Sequence, residues 1–315
     1  MTPAHGSMNT LKRPHHLYTC TDSQDFIEKF TAELNLPFGD FLDRFGDGEN
    51  RSAVLLAGSI PLGLGTGASD VDLMVILDDE DSLSLPPVDA ETGVLFSGAF
   101  AGTARLDVAE AIAIVNGIEI DLHFVSGPRV ADASMRIRDD TISLTEHEIG
   151  VLSRIKTGWA LSTRETFDDY CGALIADNSL EIRTAAWHLI GAMQELEDAR
   201  AALADYPLLA LYLGRRCVEK VFSVFFAAKG FAFLGGKWLR ALKPGAIHSL
   251  WVGGDEVNTV ISHGVKLLFP TATDAAAGYL DGVTEFVKQV RSEVEKDLSF
   301  KVAFAMSPQL RAVVL

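Results

Sequence analysis

Three carboxylates are spaced to do chemistry together. Asp70 and Asp72 flank Val71 in SDVDLMVIL. Alternate residues of a strand share a face, so both carboxylates point the same way. Asp121 lies in a second alternating run, IEIDLHFV, where Glu119, Asp121 and His123 share one face and Ile118, Ile120, Leu122 and Phe124 the other. Carboxylates converging from neighbouring strands make a hard-oxygen donor set. That set suits Mg²⁺, which binds through a few carboxylates together with substrate phosphates. Two such ions would stabilise both the attacking and the leaving oxygen of a phosphoryl displacement. Gly58-Ser59 lies upstream, with residues 60–69 between it and Asp70. Small residues there let backbone N–H groups approach phosphate oxygens, and the Ser59 hydroxyl is a further donor.

The intervening loop contains Gly63-Leu64-Gly65-Thr66-Gly67-Ala68, a literal match to the dinucleotide fingerprint. That fingerprint needs a strand before it and a helix after it, because the pyrophosphate rests on the helix N-terminus. The residues that follow alternate as a strand does. The loop therefore reads as a strand-to-strand connection serving Asp70 and Asp72.

Gly58-Ser59, the ten-residue spacer, Asp70-Val71-Asp72-Leu73 and the later strand carboxylate Asp121 resemble the DNA polymerase β-like nucleotidyltransferase superfamily over residues 50–125. The resemblance implies metal-dependent transfer of a nucleoside monophosphate from an NTP, with pyrophosphate leaving. By position, Asp70, Asp72 and Asp121 would hold Mg²⁺, and Asp121 would take the proton of the acceptor hydroxyl. Gly58 and Ser59 would grip the triphosphate. GGKWLRAL at 235–242 looks like the helical domains attached to antibiotic nucleotidyltransferases, which implies that Lys237 faces the nucleotide. The loop departs from the family pattern at Pro61-Leu62-Gly63-Leu64.

The elements that must position these residues follow from the pattern. Thr21–Leu34 reads as a capped amphipathic helix, and Pro37–Arg44 as a second short one. Strands are expected over 52–57 and 70–77. Asn116-Gly117 between two alternating runs marks a hairpin, since both turn positions want positive φ. Beyond residue 140 the period becomes helical: 181–204, 208–228 and 274–298 carry long apolar faces. The expectation is an α+β chain with a small mixed β-sheet domain followed by an all-helical bundle. Its expected divisions are a flexible leader over 1–20, a nucleotidyltransferase domain over 21–150 and a helical domain over 151–315.

Charge narrows the partners. The net charge of −16 lies in the first half: residues 1–150 hold 9 basic and 25 acidic side chains, residues 151–315 hold 18 of each. Such a surface repels nucleic acid, whose binding rests on phosphate neutralisation. It suits a small acceptor, and a cationic one best. No apolar run reaches the ~18 residues of a membrane span. The start lacks the apolar core of a secretion signal, and Cys20, Cys171 and Cys217 are scattered, which together read as cytoplasmic. Two other functions compete. One is a nucleotide-binding regulatory protein without turnover. The other is a ribonuclease, because Arg183 and His188 fit the Arg-x(4–6)-His pattern of certain helical ribonucleases.

Overall fold

The structure is a computed structural model, and it describes residues 15–45, 48–65, 69–83, 85–89, 93–100, 105–138, 145–232, 255–270 and 275–307. The chain forms two compact units, Met1–Ala176 and Asp177–Leu315.

The first unit is built on a six-stranded mixed sheet. Its strands are β1 (Arg51–Leu56), β2 (Val71–Leu77), β3 (Val94–Ala99), β4 (Asp107–Val115), β5 (Ile118–Ser126) and β6 (Trp159–Thr163). Their order across the sheet is β3-β4-β5-β2-β1-β6. Only the β2–β5 pair is parallel; the other neighbours are antiparallel. Asn116 at φ 52° and Gly117 at φ 85° turn β4 into β5, as both positions of a tight hairpin require.

One face of the sheet carries Val71, Leu73 and Val75 of β2 with Ile118, Ile120, Leu122 and Phe124 of β5. They form a single core with Phe26, Phe30 and Leu34 of α1 (Ser23–Leu34) and Phe41 of α2 (Phe38–Leu42). Asp22 caps α1 by accepting from the Asp25 N–H. Leu17, in a 3₁₀ turn over His15–Thr19, is completely buried in the same core. Residues 15–19 are thus structural, not the end of a leader, because Leu17 and Tyr18 are apolar enough to pack.

The other face meets three helices, α3 (Gly127–Arg138), α4 (Glu146–Thr157) and α5 (Glu165–Ala176), which pack on one another and on the sheet. A capping box starts α4: the Glu148 N–H donates to the Thr145 hydroxyl at 3.1 Å, and the Thr145 N–H to the Glu148 carboxylate at 2.8 Å. The chain then returns through Gly158 into β6, which pairs with β1. That pairing keeps residues 151–176 with the sheet, so the units divide after Ala176 and not at the 150/151 boundary expected from the period change.

The second unit is helical throughout its described residues. It comprises α6 (Ser179–Ala202), α7 (Pro207–Ala227), α8 (Asp255–Leu268), α9 (Ala276–Val294) and α10 (Leu298–Met306). Phe222, Phe225 and Phe226 of α7 and Phe286 of α9 are fully or almost fully buried at its centre. Leu280, Val283, Val287, Val290 and Val294 form the buried seam of α9 that their spacing predicts. Arg215 and Glu219 make the expected i,i+4 pair at 3.2 Å.

Candidate active site

The parallel pairing of β2 and β5 sets Asp72 directly beside Asp121. Two strands distant in sequence thereby present adjacent carboxylates on the face toward α3–α5. Asp70 precedes β2 and is exposed, whereas Asp72 and Asp121 are half-buried.

Asp121 is under electrostatic stress. Burial comes first, followed by the charges of Asp72, Asp70 and Glu119, and together they push its carboxyl up to about 6 while Arg154 pulls it down. Its Oδ1 is buried and has no hydrogen-bond partner among the described residues. A protein that brings carboxylates together in this way leaves charge for something else to neutralise.

The loop after β1 is shaped to Asp72. Gly58 has φ +71°, and a Cβ there would lie 2.0 Å from Asp72 Oδ2. Only glycine permits both the backbone and that approach. Ser59 is 2% exposed, and its carbonyl accepts from the Leu64 N–H at 2.9 Å while Ile60 accepts from Gly63, so the loop turns back on itself. Ile60 and Leu64 anchor it in the interior. At the far side the Tyr18 ring lies against Gly65, and the Tyr18 hydroxyl donates to the Ser69 carbonyl at 2.5 Å. The loop leads into a strand, as the failed dinucleotide fingerprint implied.

The remaining polar residues of this face extend the site. His123, two residues beyond Asp121, neighbours Met74 across the parallel pair and Glu110 across the antiparallel one. Arg154 Nη1 lies 3.5 Å from His123 Nε2. Burial first, then the Arg154 charge, push the His123 ring down to about 4, so it is neutral at pH 7. Further along, the carboxylate of Asp107 is buried against the His147 ring and lies 3.1 Å from Arg105 Nη2. Burial opposes the charge on Asp107, but the His147 hydrogen bond and charge outweigh it and hold the carboxyl below its ordinary range. Sequence reasoning missed Arg154, Asp107 and His147; the one signal was the seven-residue spacing of His147 and Arg154 on one face of a capped helix.

Among the described residues no three His, Cys, Asp or Glu side chains gather closely enough to hold a metal ion. The acids are therefore not a closed cage. Mg²⁺ does not need one, since it keeps waters and takes one or two carboxylates plus substrate phosphates. The orphaned oxygen of Asp121 and the mutual repulsion of Asp70, Asp72 and Asp121 are what such a cation relieves, and the all-oxygen donor set fits it. Lys237, together with Trp238 and Trp251, lies outside the described residues. His188 is 8% exposed, and burial followed by the Lys220 charge pushes its ring down to about 4. A ring so enclosed is poorly placed to exchange protons with RNA.

No protein-family model matches the chain. No curated protein matches it either. Among solved structures it is similar to a nucleotidyltransferase-like protein from Exiguobacterium sibiricum 255-15, with a TM-score of 0.40 and 11% identity over 79% of this chain and 72% of that one. Among the described residues no helix is long and apolar enough to cross a membrane.

Proposed function

We propose that this protein transfers a nucleoside monophosphate from an NTP, ATP foremost, to a hydroxyl of a small molecule and releases pyrophosphate. The observation that carries this reading is the register of Asp72 against Asp121 beside a glycine loop moulded to Asp72. Asp70, Asp72 and Asp121 would hold Mg²⁺, which when bound supplies charge neutralisation at the reacting phosphate. The protein contributes positioning more than covalent chemistry, as phosphoryl transfer requires. The backbone N–H groups around Gly58 and Ser59 bind phosphate oxygens. Asp121, with a carboxyl poised near neutrality, accepts the proton of the acceptor hydroxyl. The acidity of residues 1–150 favours a cationic acceptor.

The test is thermal unfolding with each of the four NTPs, with and without Mg²⁺, for the native chain and Asp72→Asn. A ligand at ~100 times its dissociation constant stabilises a fold by ~2.7 kcal/mol. A Mg²⁺-dependent shift with one NTP, lost in Asp72→Asn, is the expected result. No shift with any NTP would remove the reading. A shift without pyrophosphate release for any hydroxyl acceptor would favour a nucleotide-binding regulator instead.

A further inference from the structure

We infer that Arg154 is a phosphate-binding residue of this site, reaching the triphosphate of the nucleotide from α4; the inference rests on the nucleotidyl-transfer reading above.

Among the described residues, seven arginines of this acidic chain are neutralised by carboxylates. Arg51 pairs with Asp43, Arg129 with Glu80, Arg136 with Asp132 and Glu148, and Arg105 with Asp107. In the helical unit Arg215, Arg216 and Arg291 pair with Glu219, Glu195 and Glu295. Arg154 differs. Among the described residues its side chain makes no ion pair, and its one hydrogen-bond contact is the long one to an imidazole nitrogen of His123. It nevertheless stands close enough to Asp121 for its charge to act on that carboxyl. A guanidinium has five N–H donors. One turned toward His123 leaves four for another acceptor.

The placement is built, not incidental. His147 and Arg154 lie seven residues apart, two turns along one face of α4. His147 fastens the first turn of the helix to Asp107 of β4, and the capping box fixes the same end. At the other end the chain must leave α4 through Gly158. A Cβ there would lie 2.8 Å from the Arg154 carbonyl and 2.9 Å from the carbonyl of Leu56, two residues before Gly58. The backbones of Arg154 and of the strand that feeds the glycine loop therefore converge on one glycine. The Arg154 backbone thus lies beside the end of the strand that feeds the glycine loop, and its guanidinium lies beside His123, two residues beyond Asp121.

The chemistry of the ligand follows from the charge. Asp70, Asp72, Glu119 and Asp121 make the site strongly negative, and a triphosphate adds more of the same sign. Mg²⁺ offsets part of it. A fixed cation whose donors are not already satisfied by a carboxylate offsets more, and a guanidinium fork matches two phosphate oxygens. Arginine also stays charged at any working pH.

Isothermal titration of the full chain tests this, with Mg²⁺–pyrophosphate as a base-free probe beside the four Mg²⁺–NTPs, on wild type, Arg154→Gln and Arg154→Lys. Unfolding temperatures without ligand check that each variant is folded. The expected result is at least tenfold weaker binding in Arg154→Gln for pyrophosphate and for the preferred NTP alike, with Arg154→Lys recovering part of it. Should Arg154→Gln fail to fold, Arg154→Lys against wild type carries the comparison, with severalfold weaker binding expected. Wild-type affinity in the folded variants would overturn this inference and leave the nucleotidyl-transfer reading standing. A wild-type chain that binds none of the probes would overturn both. Weaker NTP binding with unchanged pyrophosphate binding would assign Arg154 to another part of the nucleotide and overturn the phosphate assignment.

Discussion

The carboxylate of Asp72 fills the space that any side chain at position 58 would need. Gly58 holds φ +71°, and a Cβ there would meet Asp72 Oδ2 at 2.0 Å and its Cγ at 2.7 Å. The loop and the carboxylate are one device. Gly58→Ala must both strain the backbone and displace Asp72. A loss of about 1–3 kcal/mol is expected by urea unfolding, together with loss of any Mg²⁺–NTP stabilisation. A variant of native stability would show that the loop relaxes freely and is not set by Asp72.

Asp121 illustrates stability given up at a site. Its carboxyl, ordinarily near 3.8, titrates at about 6 in the fold. A carboxyl whose folded value exceeds its unfolded one binds the proton more tightly when folded, so stability declines as pH rises between these values and stays reduced above them. Asp121→Asn removes that penalty. The variant is expected to be more stable than wild type by about 1–3 kcal/mol at pH 8, with the difference closing below pH 4. Urea unfolding of both proteins at the two pH values measures it. Equal stability at pH 8 would mean that Asp121 is already neutralised by a partner.

That Asp72 and Asp121 would lie on polar strand faces was legible in the sequence because strand alternation fixes a face, and the spacing of Gly58 to Asp72 is local. So were the hairpin at Asn116-Gly117 and the seam of α9. What escaped depends on contacts between distant segments. β6 is a short run, Trp159–Thr163, whose identity comes from pairing with β1 more than 100 residues earlier. β3 is an edge strand with Leu95 and Phe96 exposed, so it lacks a buried alternating face. Arg154 and His147 look like ordinary helix-surface residues until α4 is laid on the polar face of β4 and β5. Tyr18 was read as leader because nothing near it in sequence reveals that Ser69 accepts its hydroxyl.

Tyr18 gives a direct check on where the fold begins. Its ring packs against Gly65 and its hydroxyl reaches Ser69, one residue before Asp70. Tyr18→Phe keeps the ring and removes the hydrogen bond, for an expected cost of about 1 kcal/mol. Tyr18→Ala removes both, and its expected cost is about 3 kcal/mol. Chemical unfolding of the pair separates the two contributions. Native stability in Tyr18→Ala would return residues 15–19 to the status of a leader.

Thr184 and His188 lie one turn apart on α6, both buried, and among the described residues neither the Thr184 hydroxyl nor either ring nitrogen of His188 has a hydrogen-bond partner. The ring stays neutral in the fold down to about pH 4 but takes up a proton near 6.5 when unfolded. The sign is the reverse of a salt-bridged histidine. Its contribution is intact above about pH 6.5 and is lost as pH falls toward 4, by up to about 3 kcal/mol. His188→Leu should flatten the stability of the helical unit across that window, whatever its absolute stability, because the competing protonation of the unfolded chain is gone. Thr184→Val should be neutral or stabilising by up to about 1 kcal/mol, since the hydroxyl is buried without return. An unchanged pH slope in His188→Leu would show that the ring is hydrated or hydrogen-bonded in solution, and so accessible to the proton chemistry that a ribonuclease would need.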